Sequence, residues 1–192
     1  HRFTRGCSPR EDTSAKLKAV GRKLRGRVLD VCTGLGYTAI GAAQKAEVEE
    51  VWTIELDPHM IEIQRSNPWS ATLFDDAKIT RLLGDALDVL PSLPTSHFDV
   101  VIHDPPAQAL SGELYAAAFY AQFRRVLRPN GVFYHYIGDP KSKSSGRLFK
   151  GVAERMTDVG FAPKNANAAF GIVALPTRHH PVSLDDARRT PK

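Results

Sequence analysis

The stretch VLDVCTGLGYTA at residues 28–39 joins a run of strand-forming residues to a loop that contains two glycines. The apolar residues at 28–31 predict a buried strand, and Gly34 and Gly36 predict a tight turn into a helix. Because glycine has no side chain, the backbone of this turn can pass close to a ligand. A strand-to-helix turn that binds nothing is equally compatible with these residues alone.

Apolar runs of strand length alternate with longer amphipathic stretches on both sides of this segment. That order is typical of βαβ units, so we predict an α/β protein with a doubly wound, mostly parallel sheet. Helices are predicted at 11–24, from the glycine loop to residue 44, from Pro58, at 112–127 and up to residue 159. The seven predicted strands are residues 28–31, 51–54, 79–83, 98–102, 132–137, 162–167 and 170–175.

The length of 192 residues and the 42% hydrophobic content fit one globular domain. We expect three segments. Residues 1–24 form an N-terminal helical segment that acts as a flap over the ligand cleft, residues 25–176 form the ligand-binding domain, and residues 177–192 form a flexible tail.

Composition sets the expected environment and partners. The formal net charge is +5, which suits an acidic partner such as RNA, although the basic residues are mostly dispersed. Neither Cys7 nor Cys32 lies in a C-x-x-C pair, so we expect no metal site. No apolar run reaches the length of a bilayer span and no secretory signal is visible, so we expect a cytoplasmic protein without membrane contact.

Acidic residues follow four of the predicted strands. Asp30, Glu55, Asp85 and Asp104 stand at the ends of strands one to four. Ligands of open parallel sheets bind outside the carboxyl ends of the strands, so we expect these side chains to face one crevice. Glu55 lies about 20 residues beyond the glycines, the distance at which nucleotide-binding folds place an acid on ribose hydroxyls. For Asp85, capping of the next helix is the alternative to ligand contact.

Taken in order, VLDVCTGLGYTA, IELDP, LLGDALD and FDVVIHDPP resemble the four motifs of the class I S-adenosylmethionine-dependent methyltransferase superfamily, whose fold is Rossmann-like. The resemblance runs from about residue 27 to residue 175. It implies S-adenosyl-L-methionine as the cofactor, with Asp30 and the glycines by the methionine part, Glu55 by the ribose and Asp85 by the adenine. Cys32 replaces a usual glycine. The implied cofactor-binding residues are Asp30, Thr33, Gly34, Gly36, Tyr37, Glu55, Leu56, Gly84, Asp85, Ala86 and Asp104.

Four further segments resemble a family of predicted archaeal methyltransferases: NPWS at 67–70, IHDPP at 102–106, GELY at 112–115 and HYIG at 135–138. That family is more distantly similar to aminopropyltransferases of the spermidine synthase type. It is also similar to the methyltransferase part of enzymes that finish wobble-uridine side chains in tRNA.

The preferred interpretation is a methyltransferase whose acceptor is not identified. Both tRNA and a small amine are candidate acceptors, and a homodimer is a candidate assembly. Asp104 is the predicted catalytic base and His103 the second choice. The predicted substrate-binding residues are Pro105, Pro106, Trp69 and Tyr136, with His135 as an alternative to Tyr136. The residue after the two prolines is Ala107, so the aromatic ring that stacks on a flipped base in related enzymes is missing; Trp69, Phe74 or Tyr115 would have to replace it.

Three alternatives remain at this stage. An aminopropyltransferase would use decarboxylated S-adenosylmethionine and a polyamine, but the region after Pro106 has only Glu113 as an acid, and the chain is basic. A non-catalytic relative would bind the cofactor or RNA as a structural subunit. A dinucleotide-dependent dehydrogenase would need a third glycine soon after Gly36, and none occurs before Gly41.

Overall fold

The structure is a computed structural model that describes residues 7–106, 112–142 and 145–178. The tail predicted at 177–192 therefore lies, beyond Arg178, outside the described residues, as does Ala107. No helix in these ranges is long and apolar enough to cross a bilayer.

The described residues form seven strands and seven α-helices that mostly alternate along the chain, with short 3-10 turns at some of the connections. The strands are β1 Gly26–Val31, β2 Val48–Glu55, β3 Ile79–Leu83, β4 Phe98–His103, β5 Leu127–Tyr136, β6 Phe161–Ala166 and β7 Gly171–Pro176. The helices are α1 Pro9–Val20, α2 Tyr37–Ala43, α3 Pro58–Ser66, α4 Thr72–Asp75, α5 Ala86–Ser92, α6 Ala117–Val126 and α7 Ser145–Asp158.

All seven strands form one sheet in the order β3-β2-β1-β4-β5-β7-β6. The first five strands of this order are parallel, and β7 runs antiparallel to both β5 and β6. The direction of chain progression reverses between β1 and β4, which is the point where open α/β sheets bind ligands. The predicted doubly wound α/β fold with seven strands is confirmed.

Helices cover both faces of the sheet and form two cores. Residues from α5, α6 and α7 pack on one face and residues from α1, α2 and α4 on the other. Side chains alternate between these faces along each strand, so Leu29 and Val31 join the first core and Val28 joins the second. The central strands are buried on both sides, as expected for parallel strands.

Capping residues explain where the helices begin. The Ser8 hydroxyl accepts a hydrogen bond from the Glu11 amide at 3.2 Å, and Glu11 Oε2 accepts one from the Ser8 amide at 2.7 Å. This capping box starts α1 at Pro9, two residues before the predicted position. Helix α3 begins at Pro58 as predicted, capped by Asp57.

One helical prediction was incomplete and another was wrong in detail. Helix α5 was expected only as a helix that Asp85 would cap, without bounds, because its seven residues show no clear apolar period and include Pro91. The single helix predicted at 112–127 is a 3-10 turn at Gly112–Tyr115 followed by α6, and residue 127 already belongs to β5.

Candidate active site

A cavity of about 430 Å³ opens where β1, β2 and β4 end, with α1 forming one wall. The chain-order reversal between β1 and β4 places it at the expected crevice. Glycines and hydroxyl residues of the β1–α2 loop face it together with three carboxylates. The lining residues are Pro9, Asp12, Thr13, Lys16, Cys32, Thr33, Gly34, Leu35, Gly36, Tyr37, Thr38, Glu55, Met60, Asp104 and Pro106.

Asp30 lies below this cavity and does not line it. It is fully buried, and the hydroxyls of Thr38 and Thr53 each donate to it at 2.7 Å. The Thr33 hydroxyl lies 2.6 Å from that of Thr53, which extends the chain of hydroxyls to the loop. Burial raises the pKa of Asp30 to about 6, and the two hydroxyl bonds oppose that rise. Asp30 thus ties β1, β2 and α2 together beneath the loop.

The loop between β1 and α2 has an unusual backbone. Gly34 and Gly36 have φ of 52° and 79°, in the left-handed region that favours glycine. A Cβ at Gly34 would meet no atom within 4 Å, so the backbone there faces open space. Cys32 also has a left-handed φ, 71°, which explains why a glycine is usual at this position. Here a thiol stands instead, and burial raises its pKa far above the ordinary value.

Glu55 fixes this loop from the end of β2. Its carboxylate accepts from the Gly34 amide at 2.7 Å and from the Asp57 amide at 3.0 Å. From α3, the Gln64 side chain donates to the Gly34 carbonyl at 2.6 Å. Gln64 was not predicted from the sequence, because a lone glutamine on an amphipathic helix does not indicate a loop contact.

Asp85, predicted to lie by the adenine, stands beside Glu55 at the ends of β2 and β3, outside the cavity lining, as do the predicted cofactor-binding residues Leu56, Gly84 and Ala86. The Gly84 amide donates to the Glu55 carbonyl at 2.8 Å, which fixes this arrangement. Leu56 is 64% exposed, whereas Ala86 is buried. Asp85 caps α5, because its Oδ1 accepts a hydrogen bond from the Leu87 amide at 2.9 Å. The predicted alternative of a helix cap is therefore correct for this oxygen.

Asp104, at the end of β4, meets a lysine from α1. Lys16 Nζ lies 2.6 Å from Asp104 Oδ2 and also 2.6 Å from Asp12 Oδ2. The same ammonium stands 4.6 Å from the centre of the Tyr136 ring. The Lys16 side chain is only 1% exposed. Burial raises the pKa of Asp104, and the attraction of Lys16 opposes that rise.

The sequence did not predict that Asp12 lies at the same lysine as Asp104. Asp12 and Lys16 stand four residues apart on α1, a spacing that ordinarily marks an exposed helical pair. The second partner of Lys16, Asp104, is 88 residues away in sequence. No local pattern connects positions 12, 16 and 104, so the sequence alone does not predict that these side chains meet.

His103 is not brought to the cavity. It faces the opposite side of the sheet from Asp104, with its ring 5.3 Å from that of Phe119 and 5.1 Å from that of Phe123. Its Nε2 donates to the Leu114 carbonyl at 3.1 Å, and burial lowers its pKa to about 3. A fully buried, neutral histidine on that face has no path to a substrate in the cavity. His135 is likewise fully buried, with Nε2 3.0 Å from the Tyr120 hydroxyl.

Of the predicted substrate-binding residues, Pro106 lines the cavity and the other three do not. Pro106 lines the cavity, and its carbonyl accepts from the buried Tyr115 hydroxyl at 3.0 Å. Tyr136 contacts Lys16, whereas Pro105 is buried. Trp69 is 78% exposed and lines a neighbouring depression.

Neither of the other two rings proposed for base stacking lines the cavity. Phe74 lies between the guanidinium groups of Arg65 and Arg81, at 4.6 and 4.2 Å from its ring centre. Tyr115 is 1% exposed.

Arg22, Lys23, Arg25 and Arg27 form a basic cluster at residues 22–27, which lies at the other end of the sheet from the cavity. Arg27 is near the start of β1, whereas the cavity is at the end of that strand. Its Nε lies 3.5 Å from Glu50 Oε2, and Lys23 Nζ donates to the Asn130 carbonyl at 2.9 Å. A nucleic acid bound to this cluster would be remote from the cavity.

Residues 30–168 match the family described as spermine/spermidine synthase domain. An uncharacterized protein of Methanocaldococcus jannaschii is 46% identical over 177 residues, which cover 91% of this chain and 60% of that protein. Polyamine aminopropyltransferase 2 of Streptomyces coelicolor is 36% identical over 111 residues, or 55% of this chain and 20% of that protein. Putrescine N-methyltransferase 4 of Nicotiana tabacum is 26% identical over 110 residues, which cover 55% of this chain and 28% of that protein. The chain thus spans less than two thirds of these relatives.

Solved structures share the fold. A spermidine synthase bound to the transition-state analogue AdoDATO superposes with a TM-score of 0.69 and 19% identity, covering 92% of this chain and 64% of that one. A putative methyltransferase of Haloferax volcanii, in complex with the Trm112 methyltransferase activator, superposes with a TM-score of 0.62 and 15% identity. The superposition covers 85% of this chain and 90% of that one. The fold is therefore the one that methyltransferases and spermidine synthases share, as the sequence motifs predicted.

Proposed function

The chain belongs to the family described as spermine/spermidine synthase domain, and on that premise we propose that it transfers an alkyl group from a sulfonium donor to the nitrogen of an aliphatic amine. The transferred group we propose is the aminopropyl group of decarboxylated S-adenosylmethionine. One observation carries this proposal: the acids Asp12 and Asp104 and the Tyr136 ring surround an ammonium group at the cavity wall.

Two carboxylates and an aromatic face are groups that bind organic cations, and here they surround an ammonium group. Among the described lining residues, Asp12, Glu55 and Asp104 carry negative charge, and Lys16 is the positively charged side chain. This excess of acids attracts a cationic acceptor into the cavity even though the whole chain is basic. We refer to Asp12, Asp104 and Tyr136 as the acceptor side.

The other wall of the cavity fits the donor. The open space in front of Gly34 gives a ligand access to the backbone, and the Glu55 carboxylate stands where it can accept hydrogen bonds from ribose hydroxyls. We propose that Leu56 and Asp85, beside Glu55, bind the adenine. We refer to the loop at residues 32–36 together with Glu55 as the donor side.

Charge also favours the decarboxylated donor. S-adenosylmethionine carries a carboxylate that needs a cationic or N–H partner, and the decarboxylated form does not. The cationic side chain among the described lining residues is Lys16, which already contacts Asp12 and Asp104. The acid-rich lining therefore supports a donor without a carboxylate.

Asp104 is the proposed base. Its carboxylate first holds the acceptor as an ammonium and then accepts a proton, which exposes the nitrogen lone pair for attack. Because burial raises its pKa, Asp104 accepts a proton more readily than a surface carboxylate does. When bound, the donor supplies a carbon whose bond to sulfur breaks as the nitrogen–carbon bond forms, which leaves a neutral thioether. The cavity residues orient the two reactants.

The test is a transfer assay with the purified chain. Decarboxylated S-adenosylmethionine is incubated with putrescine or spermidine, and the products are identified by mass spectrometry. We expect an amine extended by one aminopropyl group. Asp158→Asn, at the exposed end of α7, serves as a matched control that retains activity, whereas Asp104→Asn loses it. Failure of every amine to be extended would overturn the proposal.

Methyl transfer from S-adenosyl-L-methionine to an amine is the second candidate. It is supported by the similarity to a putrescine N-methyltransferase, and it needs the same acceptor side. The same assay separates the two, because a methylated amine formed from S-adenosylmethionine, with no product from the decarboxylated donor, would select this candidate. The position of the basic cluster at 22–27 gives no support to tRNA as the acceptor.

A further inference from the structure

The ammonium that the acceptor side holds belongs to the protein itself. Lys16 reaches Asp104 from the second turn of α1 and is almost completely buried, with two carboxylates at 2.6 Å and the Tyr136 ring at 4.6 Å. These contacts satisfy a primary ammonium group. A soluble alkylammonium ion presents the same charge, the same N–H donors and the same start of an aliphatic chain.

We propose that Lys16 is a specificity-determining residue whose ammonium group occupies the acceptor's ammonium subsite, and that an amine acceptor binds by displacing it. This inference rests on the proposed transfer to an amine. Lys16 excludes neutral ligands and weakly bound amines from Asp104, because a ligand must compete with a tethered ammonium that is always present.

The burial of the ion pair between Lys16 and Asp104 indicates that Lys16 does more than stabilise the fold. An apolar side chain of similar volume usually stabilises a fold at least as well as a buried ion pair does. The neighbours Leu17 and Val20 on α1 are buried in that way, so the helix already packs on the sheet through apolar side chains. Of Lys16, Leu17 and Val20, Lys16 is the one that lines the cavity.

Exchange of one ammonium for another keeps the site neutralised. If Lys16 withdraws while an acceptor enters, Asp12 and Asp104 keep a positive partner and no unpaired charge stays buried. The four-carbon stem of lysine is flexible enough for this movement while α1 remains docked. The cavity of about 430 Å³ already adjoins Lys16, so the acceptor enters a volume that exists.

The test compares Lys16→Met with the wild-type chain and with Lys18→Met, which changes an exposed lysine on the same helix. Thermal unfolding is followed as n-butylamine hydrochloride is added without any donor, with sodium chloride holding ionic strength constant and n-butanol as the neutral probe. Removal of the tethered ammonium should lower the half-saturating amine concentration at least tenfold in Lys16→Met, with no change in Lys18→Met and no effect of butanol. Equal amine responses in all three proteins would overturn the inference.

Two further measurements test the inference even if Lys16→Met does not fold. The double variant Asp12→Asn/Lys16→Met removes one buried carboxylate together with its cation, and should still be more sensitive to amine than the wild-type chain, because Asp104 remains. In the wild-type chain, labelled with ¹⁵N-lysine, the Lys16 Nζ resonance should move as butylamine is added, with Lys16→Arg used for assignment. An Nζ resonance that stays fixed up to saturation by amine would also contradict displacement.

The binding test and the transfer assay can fail separately. Amine-dependent stabilisation of Lys16→Met with no transfer by the wild-type chain would support the subsite and overturn the proposed function. Transfer by the wild-type chain, with equal amine affinities in wild type and Lys16→Met, would overturn the inference alone.

Discussion

The two sides of the cavity are built in different ways. The donor side is made of residues close together in sequence: the loop at 32–36 follows β1, and Glu55 at the end of the adjacent β2 bonds the Gly34 amide across 21 positions. The acceptor side joins α1 to β4 and β5, with 88 positions between Lys16 and Asp104. Local hydrogen bonds hold the first and a buried ion pair holds the second. The two sides should therefore respond independently to substitution.

The largest effect should come from Asp104→Asn on the acceptor side. An amide cannot accept the proton of the bound ammonium, so we expect kcat for amine transfer to fall by about 10²–10⁴-fold. Donor affinity, measured by calorimetric titration, should stay within about twofold, because Glu55 and Gln64 hold Gly34 of the loop at 32–36 through their own hydrogen bonds. A comparable loss of donor binding would show that the two sides are not independent.

Asp30→Asn should change the pH dependence of stability. The pKa of Asp30 is raised from 3.8 to about 6 in the folded chain, so folding favours its protonated form. The resulting stabilisation is complete below pH 4 and is lost as the pH rises through about 6, which corresponds to about 3 kcal/mol in the free energy of unfolding. Urea unfolding at pH 4 to 7 should therefore give a smaller decline for Asp30→Asn than for wild type. Parallel curves would refute this.

Glu55→Gln should weaken the donor side alone. The amide retains an oxygen for the Gly34 N–H but loses the charge that strengthens hydrogen bonds to ribose hydroxyls, so we expect about tenfold weaker donor binding, near 1.4 kcal/mol. Glu49→Gln, at an exposed position of the same strand, is the control. Sensitivity of unfolding to butylamine should be unchanged. Unaltered donor affinity in Glu55→Gln would remove this residue from the proposed site.

Cys32→Gly should have the smallest effect. A non-glycine residue with a left-handed φ costs about 1–2 kcal/mol, and the greater freedom of glycine in the unfolded chain offsets part of that. We expect a net gain of about 0.5 kcal/mol in denaturant unfolding. Cys32→Ala keeps the strained backbone and loses the thiol packing, so it should be less stable than wild type. A loss of stability in the glycine variant would mean that thiol packing outweighs the strain.

The fold could be predicted from sequence because its signals are local. Apolar runs marked every strand, and the bounds of β3 at Ile79–Leu83 were predicted without error. The glycines and Glu55 were found by their spacing, and the structure brings them together at one loop. What failed was everything that depends on contacts between distant elements. The face to which His103 points depends on strand register, and the partner of Lys16 depends on how α1 docks on the sheet.

The capped helix α1 has a consequence for the order in which the chain is made. Its contacts on the sheet lie with β5, whose residues are synthesised more than 100 positions later. A nascent chain that has emerged only as far as β3 already contains the glycine loop and Glu55, but Lys16 has no Asp104 or Tyr136 to meet. The loop-closure entropy of so long a separation opposes early docking. We therefore expect the acceptor side to be among the last parts of the molecule to assemble, after the loop at 32–36.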